Sequence, residues 1–287
     1  MKKHIIYTTL LLISSALAGC AQKPAYKSPA GYDLTKPVKY KMPDVLHEIS
    51  GIAFKQGNAG TLYAEEDEHG RVYCMRLGDK TAKYTEFKPT GDFEDMALCG
   101  QQVIMLQSKG VLYTLPFTEI GKPQTNTAQK WEGILPEGEY EGLYADEKAQ
   151  QVYVLCKHCS IDKTSKSNSG FIFDVAADGT IKRSGDFIVS VKHIEDLSGQ
   201  DKIRFHPSGL SRNPVTGDWW ILSSVNKMIV IADAKWKVRE VYTLDPALFT
   251  QPEGITFDNQ NNLYISNEGS TVPGNVLKFA YHKTTGN

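Results

Sequence analysis

The chain has 287 residues, 32 Lys and Arg against 33 Asp and Glu, a formal net charge of −1 and a 41% hydrophobic composition. So even a balance gives no electrostatic footprint for nucleic acid and no polybasic patch for lipid headgroups, and neither is expected as a partner. The length fits one large all-β domain, or at most two small ones.

Residues 1–19 read as a signal peptide. Lys2 and Lys3 precede an apolar stretch from Ile5 to Leu17, and Leu17-Ala18-Gly19 runs directly into Cys20. The apolar run is too short to span a bilayer comfortably. A cysteine after Leu-Ala-Gly matches the lipobox of bacterial lipoproteins, which implies cleavage before Cys20 and lipid on its thiol and new amino group. Loss of Lys2 and Lys3 with the leader leaves 30 basic against 33 acidic residues. No second long apolar run follows, so acyl chains are expected to hold an extracytoplasmic, monomeric domain to the plasma or outer membrane. Residues 20–32 hold the lipidated cysteine and a Pro-, Lys- and Ser-rich stalk, Ala21 to Gly31.

Between residues 33 and 282 one short phrase recurs five times: Ile49-Ser50-Gly51-Ile52, Phe93-Glu94-Asp95-Met96, Tyr140-Glu141-Gly142-Leu143, Pro207-Ser208-Gly209-Leu210 and Pro252-Glu253-Gly254-Ile255. Its third positions are 44, 47, 67 and 45 residues apart, a blade-like period with one insertion. After each phrase comes a β-forming segment with a polar end: Leu62 to Asp67, Val103 to Ser108, Val152 to Lys157, Trp219 to Ser224 and Leu263 to Glu268. Third strands are read at Arg71 to Leu77, Gly110 to Leu115, Gly170 to Val175, Lys227 to Asp233 and Asn275 to Phe279. Fourth strands are read at Lys83 to Phe87, Gln129 to Ile134, Arg183 to Val189 and Val238 to Leu244. Only four fourth strands serve five units, and Pro37 to Met42, upstream of the first phrase, has the pattern and position of the fifth.

The expected fold is therefore an all-β propeller of five four-stranded blades, closed by the N-terminal strand so that no sheet edge is left open. A six-bladed ring is the alternative, with extra strands hidden in the 67-residue interval; Lys192 to Phe205 within it reads as a long charged loop. Residues 283–287 form a short tail. Trp219 and Trp220 are expected to fill the core between blades.

Cys20 aside, the cysteines are Cys74, Cys99, Cys156 and Cys159. Cys156 and Cys159 have the C-x-x-C spacing of redox and metal sites. No βα unit follows them and no second C-x-x-C completes a zinc set, which favours a local disulfide or free thiols.

In a propeller the first strand of each blade runs nearest the axis. The residue before the Gly or Asp reads Ser50, Glu94, Glu141, Ser208 and Glu253, a ring of three carboxylates and two hydroxyls. Asp95, Asp67 and Glu268 stand near it in the repeat. Carboxylates crowded within a few ångströms need a cation or raised pKa values. Calcium takes six to eight oxygen ligands in tolerant geometry, so the candidate calcium set is Glu94, Asp95, Glu141, Glu253, Asp67 and Glu268. Carboxylates that cap turns, or that are solvated in a wide channel, need no metal.

The lipobox, His47-Glu48-Ile49-Ser50-Gly51-Ile52-Ala53, the Glu141-Gly142-Leu143, Pro207-Ser208-Gly209-Leu210 and Pro252-Glu253-Gly254-Ile255 phrases, and Asn262 to Glu268 together resemble the SdiA-regulated (YjiK/CarP) family over about Asp33 to Tyr281. The resemblance implies a membrane-associated β-propeller. It also implies a possible tie to calcium, because one branch of that family is linked to calcium homeostasis and compared with phytase-like propellers.

Three functions stay open from the sequence. The preferred one is a binding or sensory module whose axial carboxylates hold calcium or a small cationic or hydroxylated ligand; no Gly-x-Ser-x-Gly elbow and no His-Glu-x-x-His motif supplies a catalytic set. A second is a calcium-dependent hydrolase of phosphoesters or lactones, with Glu94, Glu141 or Glu253 as base. Basic groups that such an enzyme needs come near only as Arg212, Lys157 and Lys227. The third is a scaffold for an envelope complex.

Overall fold

The computed structural model describes residues 26–88, 90–162 and 166–283. The leader, Cys20 and the first part of the stalk lie outside them, as do residues 284–287. Among the described residues no helix is long and apolar enough to cross a membrane.

Twenty strands form five antiparallel four-stranded sheets. The first contains β2 (Ile49–Ala53), β3 (Leu62–Glu66), β4 (Gly70–Met75) and β5 (Lys83–Lys88); the second β6 (Phe93–Cys99), β7 (Gln102–Gln107), β8 (Val111–Pro116) and β9 (Gln129–Trp131). The third contains β10 (Gly138–Asp146), β11 (Gln151–Cys159), β12 (Ser167–Val175) and β13 (Ile181–Ser190), and the fourth β14 (Gly209–Arg212), β15 (Trp219–Ser223), β16 (Met228–Ala232) and β17 (Val238–Thr243). In the fifth, β18 (Pro252–Phe257), β19 (Leu263–Asn267) and β20 (Asn275–Phe279) are completed by β1 (Val38–Lys41) from the other end of the chain. Val38 pairs with Lys278 and Lys41 with Asn275. The fold is a five-bladed β-propeller closed by its N-terminal strand.

Inner strands touch in the cyclic order β2, β6, β10, β14, β18 and back to β2. Five apolar cores fill the five blade interfaces. One joins the last blade to the first through Tyr264, Val276, Leu46, Ile49 and Tyr73. Trp219 and Trp220, 3% and 2% exposed, belong to the cores on either side of the fourth blade. The alternation in each strand therefore feeds both neighbouring interfaces, and closure leaves every interface covered.

The 67-residue interval hides no sixth blade. Its length goes into the long hairpins of the third blade and one helix, α1 (Val191–Ser198), where the sequence read a loop. Ser190 caps the helix by accepting from His193 N, Gly199 closes it at φ 68°, and Val191 and Ile194 are buried. Two apolar anchors suffice for two turns even in so charged a segment.

Candidate functional site

Each recurring phrase lies at the start of an inner strand, and in four of the five the strand is bulged there. Phe93 pairs with Gln107 and Asp95 with Leu106, so Glu94 faces no partner; Tyr140 pairs with Cys156 and Gly142 with Leu155, so Glu141 is likewise extra. The same slip falls between Pro252 and Ile255 and between Ile49 and Ile52. A bulge turns the extra side chain out of the alternating pattern. Here it turns Glu94, Glu141 and Glu253 toward the axis, at the end where the inner strands start.

The charges of these three act on one another, although among the described residues their carboxylate oxygens do not gather within 4.8 Å. Burial and then the Glu141 charge push the Glu94 carboxyl up to about 9, with Asp92 and Glu253 adding to the shift and Lys157 opposing it. Burial and then Glu141 push Glu253 up to about 8, against a hydrogen bond from Ser224. Glu141 is also raised by burial, but its hydrogen bond and ion pair with Lys157 hold the shift down. Burial works against the Lys157 charge, yet the Glu141 bond and the surrounding carboxylates leave its pKa raised. One ammonium thus sits among three carboxyls.

A second acidic group borders the first. Carboxylate oxygens of Glu48, Glu66 and Asp67 lie within 4.8 Å of one another. Burial, then Glu48 and Glu268, lift Asp67 to about 7, and its Oδ1 is buried with no partner among the described residues. Burial and then Glu48 raise Glu268, whose carboxylate accepts from the Gln251 amide. The Glu268 charge also acts on Glu253, so the two groups are electrostatically linked.

The other predicted site residues do different work. Asp95 is 4% exposed; its Oδ1 accepts from Met96 N (2.8 Å) and its Oδ2 from Leu143 N (2.7 Å), which ties the second blade to the third. Ser208 Oγ donates to Pro252 O (2.8 Å) and accepts from Ser224 N (3.1 Å), tying the fourth blade to the fifth. The Ser50 carbonyl accepts from Ser266 Oγ (2.6 Å), tying the fifth to the first. Glu65 is fully buried: one oxygen accepts from Gly51 N (2.6 Å) and Oε2 has no partner among the described residues. Burial raises its pKa strongly, and Asp95, Glu94 and Glu66 raise it further. Glu65 falls in the segment read as a second strand, Leu62 to Asp67, and its role as acceptor of a bulge N–H was not anticipated. Its signal is the recurrence of a polar residue there in β19, where Ser266 Oγ accepts from Gly254 N (2.7 Å).

Cys156 and Cys159 form a disulfide across the end of β11, while Cys74 and Cys99 are free. His206 stands on the Lys157 side of the mouth; burial, then Lys157 and His158, hold its pKa low.

The opposite end of the axis was not anticipated. A cavity of about 800 Å³ opens where the inner strands finish. Its apolar floor is the residue after the third position of every phrase: Ile52, Met96, Leu143, Leu210 and Ile255, all 5% exposed or less. Fivefold recurrence of a branched or long apolar residue at that position was the available signal. Arg212 and Asp146, paired at 3.3 Å, stand on its wall.

Five four-stranded sheets closed into a ring make the chain a five-bladed β-propeller. The sequence matches the SdiA-regulated family over residues 29–272, and the protein belongs to that family. No curated protein matches the sequence. Among solved structures the fold is similar to a Myxococcus xanthus glutaminyl cyclase (15% identity, 86% of this chain and 96% of that one, TM-score 0.54). It is also similar to regucalcin, a calcium-binding protein from Agrobacterium tumefaciens (12% identity, 88% and 94%, TM-score 0.50). At these identities the likeness concerns the fold alone.

Proposed function

We propose that the protein is a lipid-tethered binding module of the cell envelope that holds a hard divalent cation, calcium by the nature of its donors, at the axial carboxylates. One observation carries this reading: Glu94, Glu141 and Glu253 come from three different blades close enough for their charges to act on one another, with Lys157 paired to Glu141 and Lys227 within reach of the Glu253 charge. All the donors are hard oxygens. Such a set fits calcium better than zinc. The calcium-binding regucalcin, similar in fold, and the link of one branch of the family to calcium homeostasis agree with it. Anchoring follows from the lipobox at Cys20. Calcium is expected to raise the thermal midpoint of the metal-free protein in the millimolar range or below, and magnesium to do so less. Equal midpoints with and without calcium would overturn the assignment.

A second reading, a calcium-dependent hydrolase of phosphoesters or lactones, draws on the basic side of the same mouth, where Lys157 and His206 lie close together. Turnover in a screen of phosphomonoesters and lactones, lost in Glu94→Gln, would establish it in place of a pure binding role.

A further inference from the structure

The two ends of the axis differ in chemistry, and the chain's own path relates one of them to the membrane. Inner strands start at the acidic mouth and finish at the cavity; β1 runs antiparallel to β20, so it begins at the cavity end with Val38 opposite Lys278. The segment before it stays at that end. Tyr32 donates from its hydroxyl to Asn261 O (2.7 Å) and packs edge-on against Trp220 (5.4 Å between centroids), and Gly31 O accepts from His282 N (2.8 Å). Asn261 lies two residues beyond Asn259, which lines the cavity rim. From Cys20 to Tyr32 the chain can reach about 40 Å at most. A tether at Cys20 would therefore leave the propeller from its cavity end.

The cavity suits what a bilayer surface offers. Its depth is apolar, formed by Ile52, Met96, Leu143, Leu210 and Ile255, with Ala53, Ala97 and Ala145 above them. Its volume of about 800 Å³ lies within the range of small-molecule sites. One charged group on the wall has capacity to spare. Arg212 gives Nε to Gly217 O (2.9 Å) and Nη1 to Asp146, while Nη2 has no acceptor among the described residues. Asp146 is saturated, because its other oxygen accepts from Lys148 N and Ala149 N (3.0 Å each). An incoming carboxylate would find guanidinium donors free and the neighbouring acid already neutralised.

We propose that this cavity binds a single-chain carboxylate amphipath drawn from the membrane, its acyl chain on the apolar floor and its head on Arg212. The source of the ligand rests on the anchoring at Cys20; the site itself does not.

Dodecanoate is the probe, titrated by calorimetry below its micellar range into a chain starting at Ala21, which contains the whole closed ring. One molecule should bind per chain, with affinity falling about tenfold for each two methylenes removed from the probe. Ala145→Trp, which fills the well from a partly exposed position, should weaken binding at least tenfold, and Arg212→Gln several-fold. Glu94→Gln should leave it unchanged, which separates this site from the axial one. No bound dodecanoate, affinity independent of chain length, or full affinity in a folded Ala145→Trp variant overturns the proposal. The lipidated full chain in vesicles should take up labelled dodecanoate as well. If only the unlipidated chain does, the cavity serves the protein's own anchor and the membrane-derived ligand is wrong. Release of a Cys20→Ser variant from membranes tests the anchor separately, with no bearing on the soluble-chain result.

Discussion

Asp95 of the second blade accepts the main-chain N–H of Leu143 in the third at 2.7 Å, so a carboxyl at the glycine position of the phrase links two blades. Its other oxygen takes the N–H of Met96, and burial raises its pKa well above the usual carboxylate range. Asp95→Ala orphans two buried donors, each costing about 1–3 kcal/mol. Denaturant titration should show that loss, while the Glu94 to Glu253 site, on the other side of the bulge, keeps its ligand.

Glycines of the phrase differ in how much room they leave. A Cβ on Gly51 would run into Asp95 Oδ1 and Met96 N, whereas on Gly142 its nearest neighbour would be the Leu155 Cβ at 3.2 Å. Gly51→Ala should cost on the order of 3 kcal/mol or more and Gly142→Ala about 1 kcal/mol or less. Equal losses in thermal melts would contradict the blade contact at Gly51.

That difference shows what could be read from the chain. Spacing of the phrase and the orphan strand at Pro37 to Met42 disclosed five blades and their closure, because each blade repeats the same alternation. Placement of Glu94, Glu141 and Glu253 on equivalent inner strands followed from the repeat. Asp95 and Ser208 hold equivalent or adjacent positions and look the same in sequence, yet they bond to the next blade, since whether a polar side chain faces the axis or the interface depends on a bulge that leaves no composition signal. The helix at Val191–Ser198 was hidden by charge, and the cavity by attention to polar residues only.

Stability should depend on pH with a definite sign. Glu94 and Glu253 have folded-state pKa values of about 9 and 8, above the ordinary carboxylate range. Groups raised in this way favour the folded state fully below about pH 4.5, and that contribution is lost as pH rises through 8 to 9. In calcium-free buffer the midpoint should fall between pH 6 and 9.5, on the order of 5 °C, and a Glu94→Gln, Glu253→Gln variant should fall less. A flat or rising midpoint would show that the axial carboxyls are not buried together.

The Cys156–Cys159 bridge predicts two thiols, Cys74 and Cys99, in a denatured chain starting at Ala21. The bridge closes only a short loop, so the double Cys156→Ser, Cys159→Ser variant should lose only about 2 kcal/mol. Four titratable thiols in the oxidised protein would refute the bridge.

Whether a cation joins the axial carboxylates is decided by calorimetric calcium titration of the metal-free protein. At pH 7 one site is expected, with proton release on binding because Glu94 and Glu253 give up their protons, and affinity that rises with pH. In the Glu94→Gln, Glu141→Gln, Glu253→Gln variant that heat should vanish while the fold persists. Binding of undiminished affinity in the triple variant, or no heat in the unaltered protein, would contradict it.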